Sequence, residues 1–599
     1  MVTNKYITRI ASVIMAAAVI LCLMASLFSD KLQEVYGNNA VTMKYESKLF
    51  STDQIMDIDI LMDEDDWNDM LENAISEEYY SCNVVVNGKT FYSVGIRPKG
   101  NTSLSSIVND PDTDRYSFKL EFDHYIEGQT CYGLDKLILN NNYADATNMK
   151  EAIVYDMYQY LGVDASLYNY AKISVNGDYR GVYLALEAVE DSFMLRNYGT
   201  EDGNLYKPES MGIGGGVDGK DGDGWQMEEK PDGEDFLQKG EMPDGEDFPQ
   251  KREMPDGEDF PQKGEMPDGA DFPQKDEMPD GEDFPQMGEA PNGEAADIKM
   301  GIMGGNGGAD LNYTDDDLDS YSTIWDDEIT DTDKKDHKRV VEALKNISEG
   351  TDLETYMDID NILKYMAVHT FVVNDDSLSG TMAHNYYLYE YNGRLNILPW
   401  DYNLSFGGMS MDGKMGGQSL GATSVINDAI DTPFSITDFF DALLENEEYL
   451  EQYHEYLNEL VEKYVNGGEF EKTYERIRSQ IDDLVGNDPT AFYSYEEYEE
   501  AANMLIEVVQ LRVKSVSGQL AGTIPSTDEG QQQDSSNLID GSDIDLSVMG
   551  SFSGGGGGNE GQGKDNGFAG TPQPFDAGDV SPISEEKADL QDSNQDSVK

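Results

Sequence analysis

A run of twelve-residue repeats divides the chain into two stretches that are able to fold. The unit is close to EMPDGEDFPQKG, and its proline and phenylalanine positions keep step throughout the run. These positions are Pro231, Pro243, Pro255, Pro267, Pro279 and Pro291, with Phe236, Phe248, Phe260, Phe272 and Phe284. Because so short a unit, dominated by Pro, Gly and carboxylates, cannot bury a core, residues 209–315 are predicted to form a disordered surface insert.

The charge balance excludes one broad class of function. Lys and Arg number 41 against 118 Asp and Glu, which leaves a formal net charge of −77 at pH 7. A protein that binds nucleic acid needs a basic face to neutralise phosphates, so no nucleic-acid partner is expected. For the acidic repeats two roles stay open: a solvated spacer, or a weak binding segment for Ca²⁺ or a partner, although EF-hand spacing is absent.

The first residues predict the compartment. Lys5 and Arg9 precede an apolar run from Ile10 to Phe28, and its 19 residues would span roughly 28 Å as a helix, about one bilayer core. Residues 1–30 are therefore predicted to be an uncleaved membrane anchor or a cleaved signal peptide. Because the positive charges stay on the cytoplasmic side, both alternatives place the rest outside the cytoplasm, membrane-anchored or secreted.

The stretch before the insert predicts a mixture of strands and helix. After a linker over 31–50, residues 51–208 form the first part of the folded unit, with strand-like alternation at 54–62, 81–88 and 116–123. Asn87-Gly88 and Asn176-Gly177 are typical hairpin turns. Apolar residues at helical spacing predict a helix over 148–161. Cys82 and Cys131 either form one disulfide or stay as two buried thiols.

The stretch after the insert, residues 316–521, is dominated by predicted helices. They fall at 334–348, 358–372, 433–466, 468–485 and 495–520. Residues 522–599 are rich in Ser, Gly, Gln and Asp and predict a disordered tail. The two ordered stretches together predict one α+β unit in two lobes, interrupted by the insert.

The densest group of candidate catalytic residues lies in 372–408, VVNDDSLSGTMAHNYYLYEYNGRLNILPWDYNLSFGG. The pattern predicts a two-stranded hairpin with Asp376, Asn385 and Asp401 at the ends of its elements. Phosphoryl transfer on Mg²⁺ uses such a set, because one carboxylate orients the attacking hydroxyl while an amide and a second carboxylate hold metal ions. Helix capping and Asx-turns are the alternative role for each residue.

Candidate cationic partners lie in the first stretch. The loop GIRPKGNTS supplies Arg97 and Lys99, and Lys119 alternates with apolar residues on a predicted strand. An inward Lys needs a counter-charge, and Glu151 on the 148–161 helix is a plausible one. A strand Lys held by a helix Glu is how a kinase directs an ammonium at nucleotide phosphates. The alternative for Lys119 is an ordinary exposed lysine.

These segments together resemble the CotH kinase family, the spore-coat-protein-H-like atypical protein kinases of bacteria. The resemblance rests on GIRPKGNTS, YSFKLEFD, LILNNNYADATNMKEAIVYDMY, DYRGVYLALEAVED, GNLYKPE, the 372–408 segment and LRVKSVSGQL, in that order. It implies a divergent protein-kinase-like two-lobed fold and ATP-dependent phosphorylation of Ser residues in spore-coat or cell-surface proteins. ATP with Mg²⁺, or Mn²⁺ in its place, is the implied cofactor.

The resemblance also implies roles for single residues. The family's N-x-D falls on Asn374 and Asp376, so Asp376 takes the role of the catalytic Asp, with the adjacent Asp375 as the alternative. Asn385 and Asp401 become metal ligands, the latter in the family's PWD. Arg97, Lys99, Lys119 and Glu151 become the nucleotide-binding set, although RPKGNTS has two residues between the Arg and the Gly where the family's loop has none.

Two readings of the whole chain stay open. In the first it is a surface kinase that acts on Ser-rich, basic coat or surface proteins, drawn by the acidic field, and on the Ser residues of its own tail. In the second the kinase-like unit is a non-catalytic structural scaffold, and the acidic repeats carry the function through cations or partners.

Overall fold

The computed structural model describes residues 41–208, 308–380, 383–409, 421–434 and 436–550. In these ranges no helix is both long enough and apolar enough to cross a membrane. The predicted anchor or signal at 1–30, residues 209–307 of the predicted insert and residues 551–599 of the predicted tail lie outside the described residues. Those expectations therefore stay predictions.

The first half of the described chain closes into a seven-stranded barrel. Its strands are β1 (Met56–Leu61), β2 (Tyr80–Val86), β3 (Lys89–Lys99), β4 (Ser117–Glu121), β5 (Lys136–Asn140), β6 (Tyr168–Val175) and β7 (Asp178–Glu187). They follow the order β1-β2-β3-β4-β5-β7-β6 around the ring. Neighbours are antiparallel except β1 and β6, which pair in parallel with Met56 opposite Ala171 and close the barrel. Closure leaves no free sheet edge.

Both predicted hairpin turns are confirmed. Asn87 and Gly88 join β2 to β3 with φ of 49° and 78°, and Asn176 and Gly177 join β6 to β7 with φ of 52° and 88°. These positive φ angles are the ones that a type I′ turn requires, and Asn and Gly adopt them at the least cost.

The second half contributes a small sheet and most of the helices. Strands β8 (Asn204–Tyr206), β9 (Tyr386–Tyr391) and β10 (Arg394–Pro399) form an antiparallel sheet in the order β10-β9-β8. Tyr206 pairs with Leu388, so the chain before the insert is joined directly to the chain after it. The mixed α+β class predicted from the sequence is confirmed, and it is consistent with a kinase-like family.

Five of the six predicted helices are confirmed, and several shorter helices occur that were not predicted. The helices of the described residues are Lys44–Lys48, Glu64–Glu72, Thr102–Val108, Lys150–Leu161, Asp191–Tyr198, Ser322–Asp326, Lys334–Ser348, Leu353–Tyr356, Ile359–Val372, Ala422–Ile426, Asp441–Leu444, Glu447–Glu459, Glu469–Val485, Tyr495–Leu520 and Asp528–Gln533. Shorter turns occupy Ala74–Ser76, Leu318–Tyr321 and Leu546–Met549, and a π-helical turn occupies Leu460–Val465. The single helix predicted over 433–466 is wrong. Asn446 caps the separate helix Glu447–Glu459, because its side chain accepts hydrogen bonds from the backbone amides of Glu448 and Tyr449.

Two hydrophobic cores hold these elements. One fills the barrel, where the inward side chains Met56, Ile58 and Ile60 of β1 are fully buried. The other lies between the outer face of the barrel and the helices, and it includes Tyr170 of β6 and most of the Ile359–Val372 helix. The Lys150–Leu161 helix belongs to this second core, so it is fixed between the barrel and the helical part.

Three predicted boundaries are wrong because apolar residues beyond them are buried. The linker over 31–50 contains the Lys44–Lys48 helix, whose Tyr45 is fully buried. The insert was predicted to reach 315, but Leu311 is buried in the second core. The tail was predicted to begin at 522, but residues 522–550, the C-terminal strap, pack on the fold and bury Ile524 and Met549.

The two cysteines of the folded part stay reduced. Cys82 and Cys131 are both buried and free. Burial raises the pKa of each thiol to about 12, so neither is a thiolate at neutral pH. Of the two alternatives left open by the sequence, the structure has the unpaired thiols.

Candidate active site

The loop after the Ile359–Val372 helix carries the first candidate catalytic carboxylate. The helix ends at Val373, whose φ of 49° is unusual for a β-branched residue. In the loop that follows, Asn385 Nδ2 donates to the Asp376 carbonyl at 2.7 Å and to its carboxylate at 3.0 Å. His384 Nε2 lies 3.1 Å from the other carboxylate oxygen. The Asp376 carboxylate is thus held in one orientation, with 14% of its side chain still exposed to solvent.

The neighbouring Asp375 lies in a different environment. Its pKa is raised by burial and, to a smaller degree, by Asp376. Burial raises the pKa of the nearby Asp428 to about 7. The Arg512 guanidinium opposes that shift, and Asp375 adds to it. Asp376 is therefore the carboxylate joined to Asn385, and Asp375 lies towards the side where Arg512 is buried.

The second candidate carboxylate follows β10. Asp401 has a φ of 58°, a left-handed conformation that Asp tolerates better than most residues. Burial raises its pKa, Lys99 opposes that shift most strongly, and Asp376 adds to it. Lys207 and His384 also lower the pKa. Asp376 and Asp401 are therefore close enough to repel each other, and cations from both halves of the chain surround them.

The backbone around Asp401 is tied to the loop that carries Asp376. The Phe406 amide donates to the Val372 carbonyl at 2.6 Å, and the Gly407 amide donates to the Val373 carbonyl. These bonds join the chain after Asp401 to the residues just before Asp376. The two carboxylates therefore stand on one backbone framework.

Glu151 of the Lys150–Leu161 helix faces the same place from the barrel side. Burial raises its pKa to about 8, Asp401 adds to the shift, and a 2.9 Å hydrogen bond from Asn140 opposes it. Lys99 also stabilises the charged form. The structure thus brings Lys99, Glu151, Asp376, Asn385 and Asp401 into one region.

Two of the predicted cations lie elsewhere on the outer face of the barrel. Lys119 Nζ lies 2.9 Å from Glu190 Oε1, so the predicted pairing of Lys119 with Glu151 is wrong. Arg97 stands opposite Lys119 in the register of β3 and β4 and pairs with Glu77. Both cations already have carboxylate partners. Lys99, in contrast, lowers the pKa of Asp401 and of Glu151 in the candidate site.

Four residues of this region carry no role in the sequence analysis. They are Asn140, Glu190, Lys207 and His384. His384 precedes Asn385 in the 372–408 segment, and Lys207 lies in GNLYKPE. Both segments carry the family resemblance, and that position was the available signal. Asn140 and Glu190 also lie inside quoted segments, in LILNNNYADATNMKEAIVYDMY and DYRGVYLALEAVED, but strand register and helix packing set their partners.

A buried arginine, Arg512, supports the backbone just before the loop that carries Asp376. Arg512 is 1% exposed, and its guanidinium donates to the carbonyls of Thr370 and Phe371, at the end of the Ile359–Val372 helix, and to those of Ile426 and Asp428. It therefore joins the residues before Asp376 to the chain that follows the Asp401 loop.

The residues present suit a hard divalent cation. In the described part of the chain, no three His, Cys, Asp or Glu side chains converge closely enough to hold a metal ion by themselves. Mg²⁺ is usually bound by one or two carboxylates together with phosphates and water, not by a protein cage. Asp401 with the Asp376–Asn385 pair provides oxygen donors of that kind, and one Glu151 oxygen nearby is buried without a hydrogen-bond partner among the described residues.

Comparison with family models gives one match, the CotH kinase protein model, over residues 96–262 and 286–516. The match covers about two thirds of the chain and includes Lys99, Glu151, Asp376, Asn385 and Asp401. It leaves out β1, β2 and the C-terminal strap. No curated protein matches the chain.

Proposed function

Because the chain belongs to the CotH kinase family, we propose that it transfers the γ-phosphoryl group of ATP to Ser hydroxyls of proteins outside the cytoplasm. Family membership by itself suggests an atypical kinase or a spore-coat-related role. What supports the finer proposal most is that Asp376, held by Asn385, lies close enough to Asp401 to raise the pKa of the Asp401 carboxyl, since phosphoryl transfer needs one carboxylate for the hydroxyl and one for the metal.

In the proposed reaction the Ser Oγ attacks the γ-phosphorus, and the bond from that phosphorus to the bridging β–γ oxygen breaks. Asp376 accepts the hydroxyl proton, and ADP leaves. Asn385 and His384 hold the Asp376 carboxylate, which fixes the direction from which the acceptor hydroxyl must approach.

The remaining residues bind the nucleotide and its metal. A divalent cation bound with ATP, Mg²⁺ or Mn²⁺, neutralises the charge that develops on the phosphates. Asp401 and Asn385 would hold that cation, and Lys99 and Lys207 add positive charge around Asp401. Arg97 and Lys119 would contribute to phosphate binding only by exchanging their present carboxylate partners, Glu77 and Glu190.

The acceptor is proposed to be a Ser-rich, basic coat or surface protein. A net charge of −77 attracts basic partners and raises their association rates, most strongly at low salt. The predicted anchor at residues 1–30 would keep the enzyme on the membrane, facing such proteins.

The test is phosphate incorporation from labelled ATP–Mg²⁺ into a Ser- and Lys-rich acceptor protein. Asp376→Asn and Asp401→Asn are each expected to lower incorporation at least 100-fold. The matched control is Asp164→Asn, which changes a partly buried carboxyl beyond the far end of the Lys150–Leu161 helix, where it accepts a hydrogen bond from Asn396. Equal labelling by the wild type and both site variants would contradict the proposal.

A specific observation favours a second function, a non-catalytic scaffold. Two of the three predicted phosphate contacts, Arg97 and Lys119, are paired with partly buried carboxylates, as they would be if the barrel face were purely structural. Calorimetric titration with ATP–Mg²⁺ separates the two functions. Failure to bind at millimolar nucleotide would favour the scaffold, with cation or partner binding by the acidic repeats as its activity.

A further inference from the structure

Glu151 is a buried carboxylate with one unsatisfied oxygen. Its side chain is 4% exposed, and Asn140 Nδ2 donates to Oε2 at 2.9 Å. Neither the other oxygen, Oε1, nor the Asn140 Oδ1 has a hydrogen-bond partner among the described residues. Buried oxygens without donors are costly and uncommon, so a positively charged or donating group is expected to fill the space they face.

The charges around Glu151 indicate what that group is. Asp401 is the neighbour that acts on its carboxyl most strongly, and Tyr402, the residue after Asp401, is joined to the helix of Glu151 by a 2.6 Å hydrogen bond with Tyr158. Two buried carboxyl groups thus lie near each other, and burial disfavours the charged form of both. A hard divalent cation bound between them would stabilise both charged forms, and carboxylate oxygens are the ligands that such a cation prefers.

The helix that carries Glu151 is fixed at its start. The Lys150 amide donates to Asp145 Oδ2 at 3.0 Å, and the Thr147 amide and hydroxyl donate to Asp145 Oδ1 at 2.9 and 2.6 Å. The Ala146 amide donates to the Met549 carbonyl of the C-terminal strap. The Glu151 carboxyl is therefore held in place before any ligand arrives, as a preorganised binding group must be.

We propose that Glu151 Oε1 is a ligand of the same divalent cation as Asp401. The cation then joins the Lys150–Leu161 helix to the loop after β10, and Asn140 orients the glutamate. This inference rests on the proposed use of metal and nucleotide. It makes Glu151 a metal ligand, whereas the sequence predicts Glu151 to be the counter-charge of Lys119.

The test measures how Mn²⁺ changes ATP binding by the full chain. Calorimetric titrations with ATP are done with Mn²⁺ and, separately, with a chelator, because the acidic repeats could take up Mn²⁺ without nucleotide. In the wild type Mn²⁺ is expected to tighten ATP binding at least tenfold. Glu151→Gln is expected to lose most of that gain, measured as the ratio of its ATP affinities with and without Mn²⁺. Asp164→Asn is expected to keep both values.

A second variant guards against a folding defect. Glu151→Asp keeps the charge but withdraws the carboxyl by one methylene, so it is expected to retain the fold and to reduce the Mn²⁺ effect several-fold. The inference is overturned if both Glu151 variants keep the wild-type Mn²⁺ effect, or if Mn²⁺ leaves ATP binding by the wild type unchanged.

The outcome is separable from that of the proposed function. If Glu151→Gln loses the Mn²⁺ effect but the wild type transfers no phosphate, the metal ligand stands and the kinase proposal fails. If the wild type transfers phosphate and the Glu151 variants keep the Mn²⁺ effect, the kinase proposal stands and the ligand fails.

Discussion

Asn385 holds Asp376 through two hydrogen bonds from one amide group, at 2.7 Å to the Asp376 carbonyl and 3.0 Å to its carboxylate. Asn385 has a φ of 58°, which Asn tolerates better than most other residues. The same residue thus fixes the turn into β9 and the orientation of the proposed catalytic base. A substitution that tolerates the positive φ but cannot donate these bonds separates the two effects.

Asn385→Asp is expected to lower phosphate transfer about 100-fold or more. The substitution keeps a residue that tolerates positive φ, but it removes both donated bonds and places a second carboxylate against Asp376. The turnover number should fall much more than the affinity for ATP. The measurement is a set of initial rates with labelled ATP over a range of nucleotide concentrations.

The matched control is Asn392→Asp, which changes an Asn of similar φ, 55°, in the turn between β9 and β10. It should leave the rate within about twofold of the wild type. If Asn385→Asp retained the full rate, the orientation of Asp376 by Asn385 would not matter for the reaction.

Local signals in the sequence were enough to predict the hairpins and, in the described residues, five of the six helices that have twelve or more residues. Asn-Gly pairs specify their own turns, and the Lys334–Ser348 helix begins with a capping box at Asp333 that needs no distant partner. Asp376, Asn385 and Asp401 could be grouped for the same reason, because one hairpin brings them together. These features depend on contacts within a few residues.

Contacts between distant segments could not be predicted. The parallel pairing of Met56 with Ala171 closes the barrel, and nothing local in β1 specifies β6 as its neighbour. A buried Lys119 requires a counter-charge, but strand register decides that it is Glu190 and not Glu151. The electrostatic effect of Asp401 on Glu151 likewise depends on how the Lys150–Leu161 helix packs between the barrel and the helical part.

Arg512→Met is expected to destabilise the fold by about 3–5 kcal/mol. The change removes donors to four backbone carbonyls and leaves the carboxyl of Asp428 without its opposing charge. Urea denaturation followed by circular dichroism measures the loss. Arg394→Met is the comparison, because that side chain is half-exposed and its pair with Asp358 should contribute at most about 1 kcal/mol. Similar denaturation curves for both variants would show that the Arg512 contacts contribute little.

Removing the C-terminal strap is expected to lower the free energy of unfolding by about 3–6 kcal/mol. Ile524 and Met549 are almost fully buried, and burying each such side chain contributes about 1.5–3 kcal/mol. The strap also bonds to the core of the fold, where Asn427 Nδ2 donates to the Ile539 carbonyl and Asn427 Oδ1 accepts the Ile539 amide. A chain ending at residue 521 is compared with one ending at residue 550. Equal denaturation midpoints would contradict the expected role of the strap.

Asp135 is expected to make stability fall as pH rises. Burial raises its pKa from 3.8 to about 7, Glu190 adds to the shift, and a hydrogen bond from Ser192 together with Lys136 opposes it. Between these two pKa values the folded state binds a proton that the unfolded state has released, so the stability contributed by Asp135 is lost from about pH 4 through pH 7.

Asp135→Asn removes this titration. Relative to the wild type, the variant should gain up to about 4 kcal/mol between pH 4 and pH 8, because a shift of about three pKa units corresponds to that amount. Urea denaturation of both proteins at several pH values gives the difference directly. Asp112→Asn, at an exposed position, should show a difference that does not change with pH. A constant difference for Asp135→Asn as well would mean that its carboxyl is not held neutral by burial.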